Sequence, residues 1–325
     1  IPEAYDGLDL GAVEVAAVSE AMGAGCMPGP FLSNLWASEL VGATGNAEIA
    51  KELLPAVVEG ESRLTVALLE ERGSWDPADV ELEMGSTRDG VEISGRKLFV
   101  PDAECADMLL VVGLLDGELA VACVPRDSPG ISVEAMPAID ATRKLYRVGF
   151  DAVGGARVLA RGDVARVALD RATRLATVAV CAELVGGMQW VLETSVEYAK
   201  TREQFGRVIG SFQAVQHQCA DMLYDLESAR SIAYFAAWAL SVDDAEAERA
   251  VAVAKAYCSD AARRVGNLGV QVHGGVGFTW EHDLQLFYRR AKSNEIQFGD
   301  GDFHRRRIAA IMLDRVARTD NREPS

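Results

Sequence analysis

The sequence has no basic surplus. Its 32 Lys and Arg face 49 Asp and Glu, a formal net charge of −17. Nucleic-acid binding needs clustered cations to replace phosphate counterions, so the balance argues against that partner class. An anionic small ligand, which needs only one local cation, is not. No uninterrupted apolar run approaches the roughly 18–20 residues of a bilayer-spanning helix, so no membrane span is expected. There is no internal repeat or low-complexity stretch. The cysteines Cys26, Cys105, Cys123, Cys181, Cys219 and Cys258 are widely spaced and form no CxxC pair. That spacing argues against a zinc site, any other metal centre or a disulfide frame, and for reduced thiols in a cytoplasmic protein. The start does not read as a signal peptide.

What remains is ample for folding: 325 residues, 49% hydrophobic and 25% charged, enough for one large or two to three ordinary domains. Three textures follow one another. Residues 1–62 read as helical, with Leu10, Val13, Val18 and Met22 near helical spacing, a break at Pro28-Gly29-Pro30, and a short helix from Ala47 to Val58. Residues 63–165 carry short apolar or alternating segments: Leu64–Leu69, Val91–Ile93, Met108–Gly113, Leu119–Val124, Ile131–Val133 and Val148–Phe150. Turn residues at Arg88-Asp89-Gly90, Asp116-Gly117 and Asp127-Ser128-Pro129-Gly130 separate them, the rhythm of a small antiparallel sandwich or barrel. Residues 166–325 return to long helical periodicities, such as Leu184, Met188, Val191, Ser195, Tyr198, and predict an antiparallel helical bundle with a polar tail after Arg318.

Two motifs stand out. The first is Tyr198-Ala-Lys-Thr-Arg-Glu-Gln-Phe-Gly-Arg-Val-Ile-Gly-Ser-Phe-Gln213. It ends one helix and starts another across a Gly-containing turn. Arg202 can grip a phosphate bidentately, Phe205 can stack on a flat ring, and Gln213 can bond a polar ring edge. A plain helix connector would explain the glycines but not the clustering of these three. The second is Gln271-Val-His-Gly-Gly-Val-Gly-Phe-Thr279, whose glycines either cap a helix or let a ligand approach the backbone. His273 alone reads as structural. The arginines of Arg289-Arg290 and Arg305-Arg-Arg307 read as ion-pair partners for acidic neighbours.

Together, inside a helical domain that follows a β domain, the two motifs resemble the acyl-CoA dehydrogenase family over essentially the whole chain. Ile1-Pro-Glu-Ala-Tyr-Asp-Gly-Leu8 looks like the segment after that family's first helices. Gly95-Arg-Lys-Leu-Phe99 looks like its middle-domain strand, and Arg289-Arg-Ala-Lys292 like the motif before its catalytic loop. The resemblance implies an α+β multidomain fold: an N-terminal helical domain (1–62, first helices absent), a middle antiparallel β barrel or sandwich (63–165), and a C-terminal four-helix bundle (166–325). It implies FAD as cofactor, an acyl-CoA thioester as substrate, and an electron-transfer flavoprotein as electron acceptor.

The resemblance also exposes departures. The family's catalytic Glu aligns with Phe298, and the alternative base position, at the start of the first bundle helix, with Ala176, followed by Thr177. Neither can take a proton. Glu295, Asp300 and Asp302 lie near the first position, with Glu295 and Asp300 as the candidate displaced bases; Glu183 reads as a packing or capping residue. The β-domain flavin contacts are eroded: Leu69-Glu70-Glu71-Arg72-Gly73-Ser74-Trp75-Asp76 replaces the usual turn, and Phe99 and Pro101 stand for a Trp and a Thr. In the family, one subunit supplies that β wall and the base, and its neighbour supplies the helix-turn and Gly-Gly contacts. Here Arg202, Phe205, Gln213, Gln271, Gly274 and Gly275 are all kept. The resemblance therefore implies the non-catalytic subunit of a heterotetrameric dehydrogenase, of the kind acting on steroid or other bulky acyl-CoA thioesters, paired with a homologous catalytic subunit. A self-sufficient homotetramer with a displaced base and a flavin-free scaffold on the same fold remain alternatives.

Overall fold

Strand by strand, the middle of the chain builds one mixed sheet. In the computed structural model, which describes residues 1–88 and 90–320, the strands are β1 (Leu64–Ala67), β2 (Glu83–Thr87), β3 (Gly90–Pro101), β4 (Met108–Leu115), β5 (Glu118–Pro125), β6 (Ile131–Met136) and β7 (Leu145–Arg161). Asp89, in the expected turn at Arg88-Asp89-Gly90, and the polar tail from Asn321 lie outside the described residues. The strand order is β1-β4-β2-β3-β7-β5, with β6 on β7. A further β4–β5 pairing closes β4, β2, β3, β7 and β5 into a ring, so the sheet is a barrel.

Most pairs are antiparallel, as the alternation predicts: β2–β3, β3–β7, β4–β5, β5–β7 and β6–β7. The β1–β4 and β2–β4 pairs run parallel, a property that alternation within one strand does not encode. The β4–β5 hairpin turns on Asp116 and Gly117, both at positive φ (50° and 77°), the two-residue geometry that matches strand twist. Ile93, Leu109, Val111, Ala122, Val124, Val148 and Val153 fill the barrel.

The chain divides into two compact units. The first, Ile1–Leu10 with Pro28–Ala176, holds the barrel, α2 (Phe31–Ala43) and α3 (Ala47–Val58). The N-cap Asn46 side chain accepts from Ile49 N at 3.3 Å and fixes the start of α3. Trp36, buried on α2, donates from Nε1 to Thr173 Oγ1 at 3.3 Å.

The second unit joins Gly11–Met27 to the chain from Thr177 onward. It contains α1 (Ala12–Ala24), the later part of α4 (Asp163–Thr201), α5 (Gln213–Ser241), α6 (Ala247–His273), α7 (Leu284–Ile296) and α8 (Gly301–Asp320). Helix α6 is central, packing on α5, α7 and α8. Its buried face and that of α5 are rich in alanine, which lets the helix axes approach closely. The buried face of α1 is not the one expected. Ala12, Ala16, Ser19 and Gly23 point inward, while Val18 is 48% exposed. The cause is a backbone-to-backbone contact: a Cβ on Gly23 would collide with Glu183 O, and one on Gly186 with Glu20 O. Small residues must face inward there. One amendment concerns α4, which is long and apolar enough to cross a membrane by length and composition. In the fold, 78% of its apolar window is buried, as befits a core helix.

Candidate functional site

The two motifs meet at one end of the bundle. After α4, the chain forms a miniature hairpin of β8 (Glu203–Gln204) and β9 (Arg207–Val208), then a 3-10 turn over Ile209–Ser211 that leads into α5. The hairpin turns on Phe205 and Gly206, at φ 55° and 77°. Helix α6 ends at His273 and runs into a 3-10 turn over Gly274–Phe278. Tyr198, the first residue of one motif, stacks on His273 of the other, with ring centroids 4.6 Å apart and planes 27° from parallel. His273 is buried, with Nδ1 2.8 Å from Gly269 O, and burial lowers its pKa. Its neighbour His282 lies 4.7 Å away, centroid to centroid. His273 thus pins the motifs together, the structural part expected of it.

Around this pin, the six residues singled out for cofactor contact are open to solvent. Arg202, Gln213 and Gln271 are exposed, and Arg202 has no side-chain ion pair among the described residues. Phe205 is 93% exposed. Gly274 has φ 64°, which favours glycine, but nothing lies within 4 Å of a Cβ built at Gly274 or Gly275. By contrast, Gly277 faces Leu284, His273 and Val270 at 3.2–3.3 Å, so its glycine serves packing. The Gly274-Gly275 ledge is therefore bare backbone facing open space.

The expected base positions hold no proton acceptor, and their surroundings are filled. Phe298 is 2% exposed. Its carbonyl O accepts from His304 Nε2 at 2.9 Å. Beneath the same turn, the fully buried Lys255 Nζ donates to Glu295 O and Gly299 O, each at 2.8 Å, and lies 3.2 Å from Ser259 Oγ. Burial pushes the Lys255 ammonium down to about 8. Burial, reinforced by the Lys255 charge, pushes His304 down to about 4. Ala176 and Thr177 are buried in α4.

Each nearby carboxylate is engaged. Glu295 pairs with Lys292 at 3.0 Å and Arg263 at 3.5 Å. Asp300 caps α8 by accepting from Phe303 N at 2.8 Å. Asp302 pairs with Arg305 at 2.8 Å. Glu183 forms a buried ion pair with Arg290, whose guanidinium also donates to Met27 O at 3.2 and 3.3 Å. Arg307 pairs with Glu248 at 3.1 Å. Lys255 and His304 are functional-looking residues that the sequence reading passed over. The signal was present in Ala254-Lys255-Ala256, a lone cation on an otherwise apolar helix face.

In the barrel, Glu70 is tied down by Lys97 Nζ at 2.5 Å and by the amides of Glu81 and Leu82 at 2.8 and 3.0 Å. Lys97 also donates to Leu68 O at 2.9 Å. Phe99 is half-exposed, its amide donating to Met136 Sδ at 3.4 Å, and Pro101 O accepts from Thr65 Oγ1 at 2.6 Å. Neither side chain offers a polar hydrogen to a ligand. Among the described residues the phenylalanines at positive φ are Phe99 (53°), Phe205 (55°) and Phe298 (59°). All three stand at positions where the sequence pattern placed a cofactor contact or a base, and strained backbone concentrates at such places.

Residues 1–61 match the model described as "Acyl-CoA dehydrogenase, N-terminal domain", and residues 164–313 match "Acyl-CoA dehydrogenase, C-terminal domain". Acyl-CoA dehydrogenase FadE27 of Mycobacterium tuberculosis is 32% identical over 326 residues, covering 97% of this chain and 85% of its own length. The chain belongs to the acyl-CoA dehydrogenase family. Among solved members, the Tcur3481-Tcur3483 steroid ACAD superposes with a TM-score of 0.86 at 29% identity, over 98% of this chain and 85% of that one. The ChsE4-ChsE5 complex from Mycobacterium tuberculosis gives 0.83 at 29% identity, over 100% and 84%. Acyl-CoA dehydrogenases are oxidoreductases, so the enzyme class expected from the sequence stands. So does the fold class: N-terminal helices, a middle β barrel and a C-terminal bundle.

Proposed function

We propose that this chain is the non-catalytic subunit of a heteromeric FAD-dependent acyl-CoA dehydrogenase. It lends Arg202, Phe205, Gln213, Gln271, Gly274 and Gly275 to a FAD whose remaining contacts, and whose base, come from a homologous catalytic subunit. The observation that carries this reading is an asymmetry. The lent set is complete, exposed and gathered by the Tyr198–His273 stack. The chain's own base positions hold Phe298 and Ala176, both buried.

The lent residues fit a dinucleotide. Arg202 provides a cation free to fork onto a pyrophosphate. Phe205 offers an uncovered ring face, the two glutamines offer amide donors and acceptors, and the bare Gly274-Gly275 backbone admits a close neighbour. The barrel side fits poorly, because Phe99 and Pro101 offer no hydrogen bond and Glu70 is committed to Lys97. When bound, FAD supplies the acceptor for the hydride leaving the β carbon of the thioester. This chain's residues hold and orient the cofactor, while the α proton falls to the partner's carboxylate. Glu295 and Asp300, the displaced-base candidates, are held by Lys292 and Arg263 and by the α8 cap.

The likeness to a steroid ACAD and to a two-protein complex supports a steroid or other bulky acyl-CoA thioester as substrate and a heterotetramer as the assembly. We assign the middle β domain to residues 63–165, the electron acceptor to an electron-transfer flavoprotein, and the compartment to the cytoplasm. The test is the flavin content of the chain alone and co-purified with a homologous subunit encoded nearby. The expected result is a colourless chain alone and about one FAD per two chains in the complex. A chain that alone binds one FAD and reduces it with an acyl-CoA would establish the self-sufficient enzyme instead. A colourless complex would establish the scaffold.

A further inference from the structure

Helix α7 carries Arg290 and Asn294 one turn apart, and α4 carries Glu183 and Gly187 at the same spacing, so each pair shares one helix face. Together with α6, these faces wall a cavity of about 20 Å³ inside the bundle. The rest of its lining is apolar, with Leu184 from α4 and Val265 from α6. Asn294 is fully buried, at 0% exposure. Neither its Oδ1 nor its Nδ2 has a hydrogen-bond partner among the described residues. A primary amide offers two hydrogens and two lone pairs. Burying it with none of them served carries the full desolvation penalty. The other polar walls are Glu183 and Arg290, which pair with each other.

We propose that this cavity is the binding site of a single internal water, held by the Asn294 amide beside the Glu183–Arg290 ion pair. Size, charge and chemistry each select that occupant. About 10–15 Å³ suffices for one water, so the cavity takes one and nothing larger. A cation would face the Arg290 guanidinium, and an anion the Glu183 carboxylate, so the occupant is neutral. The amide both donates and accepts, and water answers either need, whereas an apolar gas answers neither. A water here also serves the ion pair, since a buried pair is favourable only when its remaining lone pairs and protons are bonded. The site lies wholly within the second compact unit, so the inference does not depend on the heteromeric reading.

A crystal structure of the chain, free or in its complex, at a resolution that orders internal water is the first test. The expected result is one density peak in the cavity within about 3.2 Å of Asn294 Oδ1 or Nδ2. Deuteron magnetic relaxation dispersion then counts long-lived waters in solution. The wild type should hold one more than Asn294→Leu, in which a branched apolar side chain replaces the amide. Xenon enters apolar cavities, so crystals of the wild type under xenon pressure should show none at this place. The proposal falls if the cavity shows no peak, if the amide has turned to bond protein groups instead, if xenon occupies the wild-type cavity, or if the two water counts are equal. Should Asn294→Leu not fold, the wild-type density and the xenon result decide the matter by themselves.

Discussion

His304 Nε2 lies 2.9 Å from the carbonyl oxygen of Phe298. With a carbonyl as the acceptor, that nitrogen must carry the proton, so the other ring nitrogen, buried without a hydrogen-bond partner among the described residues, carries no proton. Folding therefore requires a neutral imidazole.

The pH dependence follows. His304 titrates near 6.5 when unfolded and about 4 when folded. Between these values the unfolded chain binds more protons, so stability falls as pH drops from about 6.5 to about 4, by up to about 3 kcal/mol. Lys255 goes from 10.5 unfolded to about 8 folded. Here too the unfolded chain holds the proton longer, and stability rises with pH across that window. Urea titrations of the wild type against His304→Gln and Lys255→Met isolate each contribution. The acid step should flatten in the first variant, and the alkaline gain should vanish in the second.

The buried Glu183–Arg290 pair joins α4 to α7. Glu183→Ala or Arg290→Ala alone removes one half of a buried ion pair and should cost about 3–5 kcal/mol. Glu183→Leu together with Arg290→Met should cost far less than the sum of the single changes. A double-mutant cycle read by denaturant midpoints measures this.

Arg202→Ala removes an exposed cation with no ion pair among the described residues, so the free chain's melting temperature should stay unchanged. Flavin affinity of the assembled complex should fall about 10–100-fold, the worth of a charge-assisted contact to phosphate. Gly275→Val, placed where a Cβ meets nothing, should behave likewise. Flavin fluorescence on dilution reads both.

Phe298→Glu places a carboxylate where the resemblance expects the base. Phe298 is 2% exposed, so the change buries an acid and should destabilise the chain by about 3 kcal/mol or more. No turnover should appear in the chain alone, because Phe99 and Pro101 still stand on the barrel face. Stopped-flow bleaching of added FAD with an acyl-CoA checks this.

Much of this was legible from residues alone. The helix over Ala47–Val58 begins and ends where its periodicity places it. Strand β2 was invisible because only Met84 of its residues is buried, leaving no alternation. The inward face of α1 was misread because the deciding contact is between backbones, at Gly23 and Gly186, and carries no hydrophobic signature. The two motifs stood out in the sequence because Arg, Phe and Gln cluster where packing does not demand them, and the structure leaves Arg202, Phe205 and Gln213 exposed. The stack that joins them was not, since Tyr198 and His273 lie far apart in sequence. Lys255 was overlooked because its partners are main-chain carbonyls, which no side-chain spacing announces.

Helix α1 packs with the later helices although it is written among the earliest residues. Covalent order and packing order therefore disagree. A chimera spliced at residue 62 would tear α1 from its bed on α4 or import a foreign helix against Gly186. Junctions after Met27 and after Ala176 would keep each glycine with its mate, and grafted barrels from related enzymes should be exchanged there.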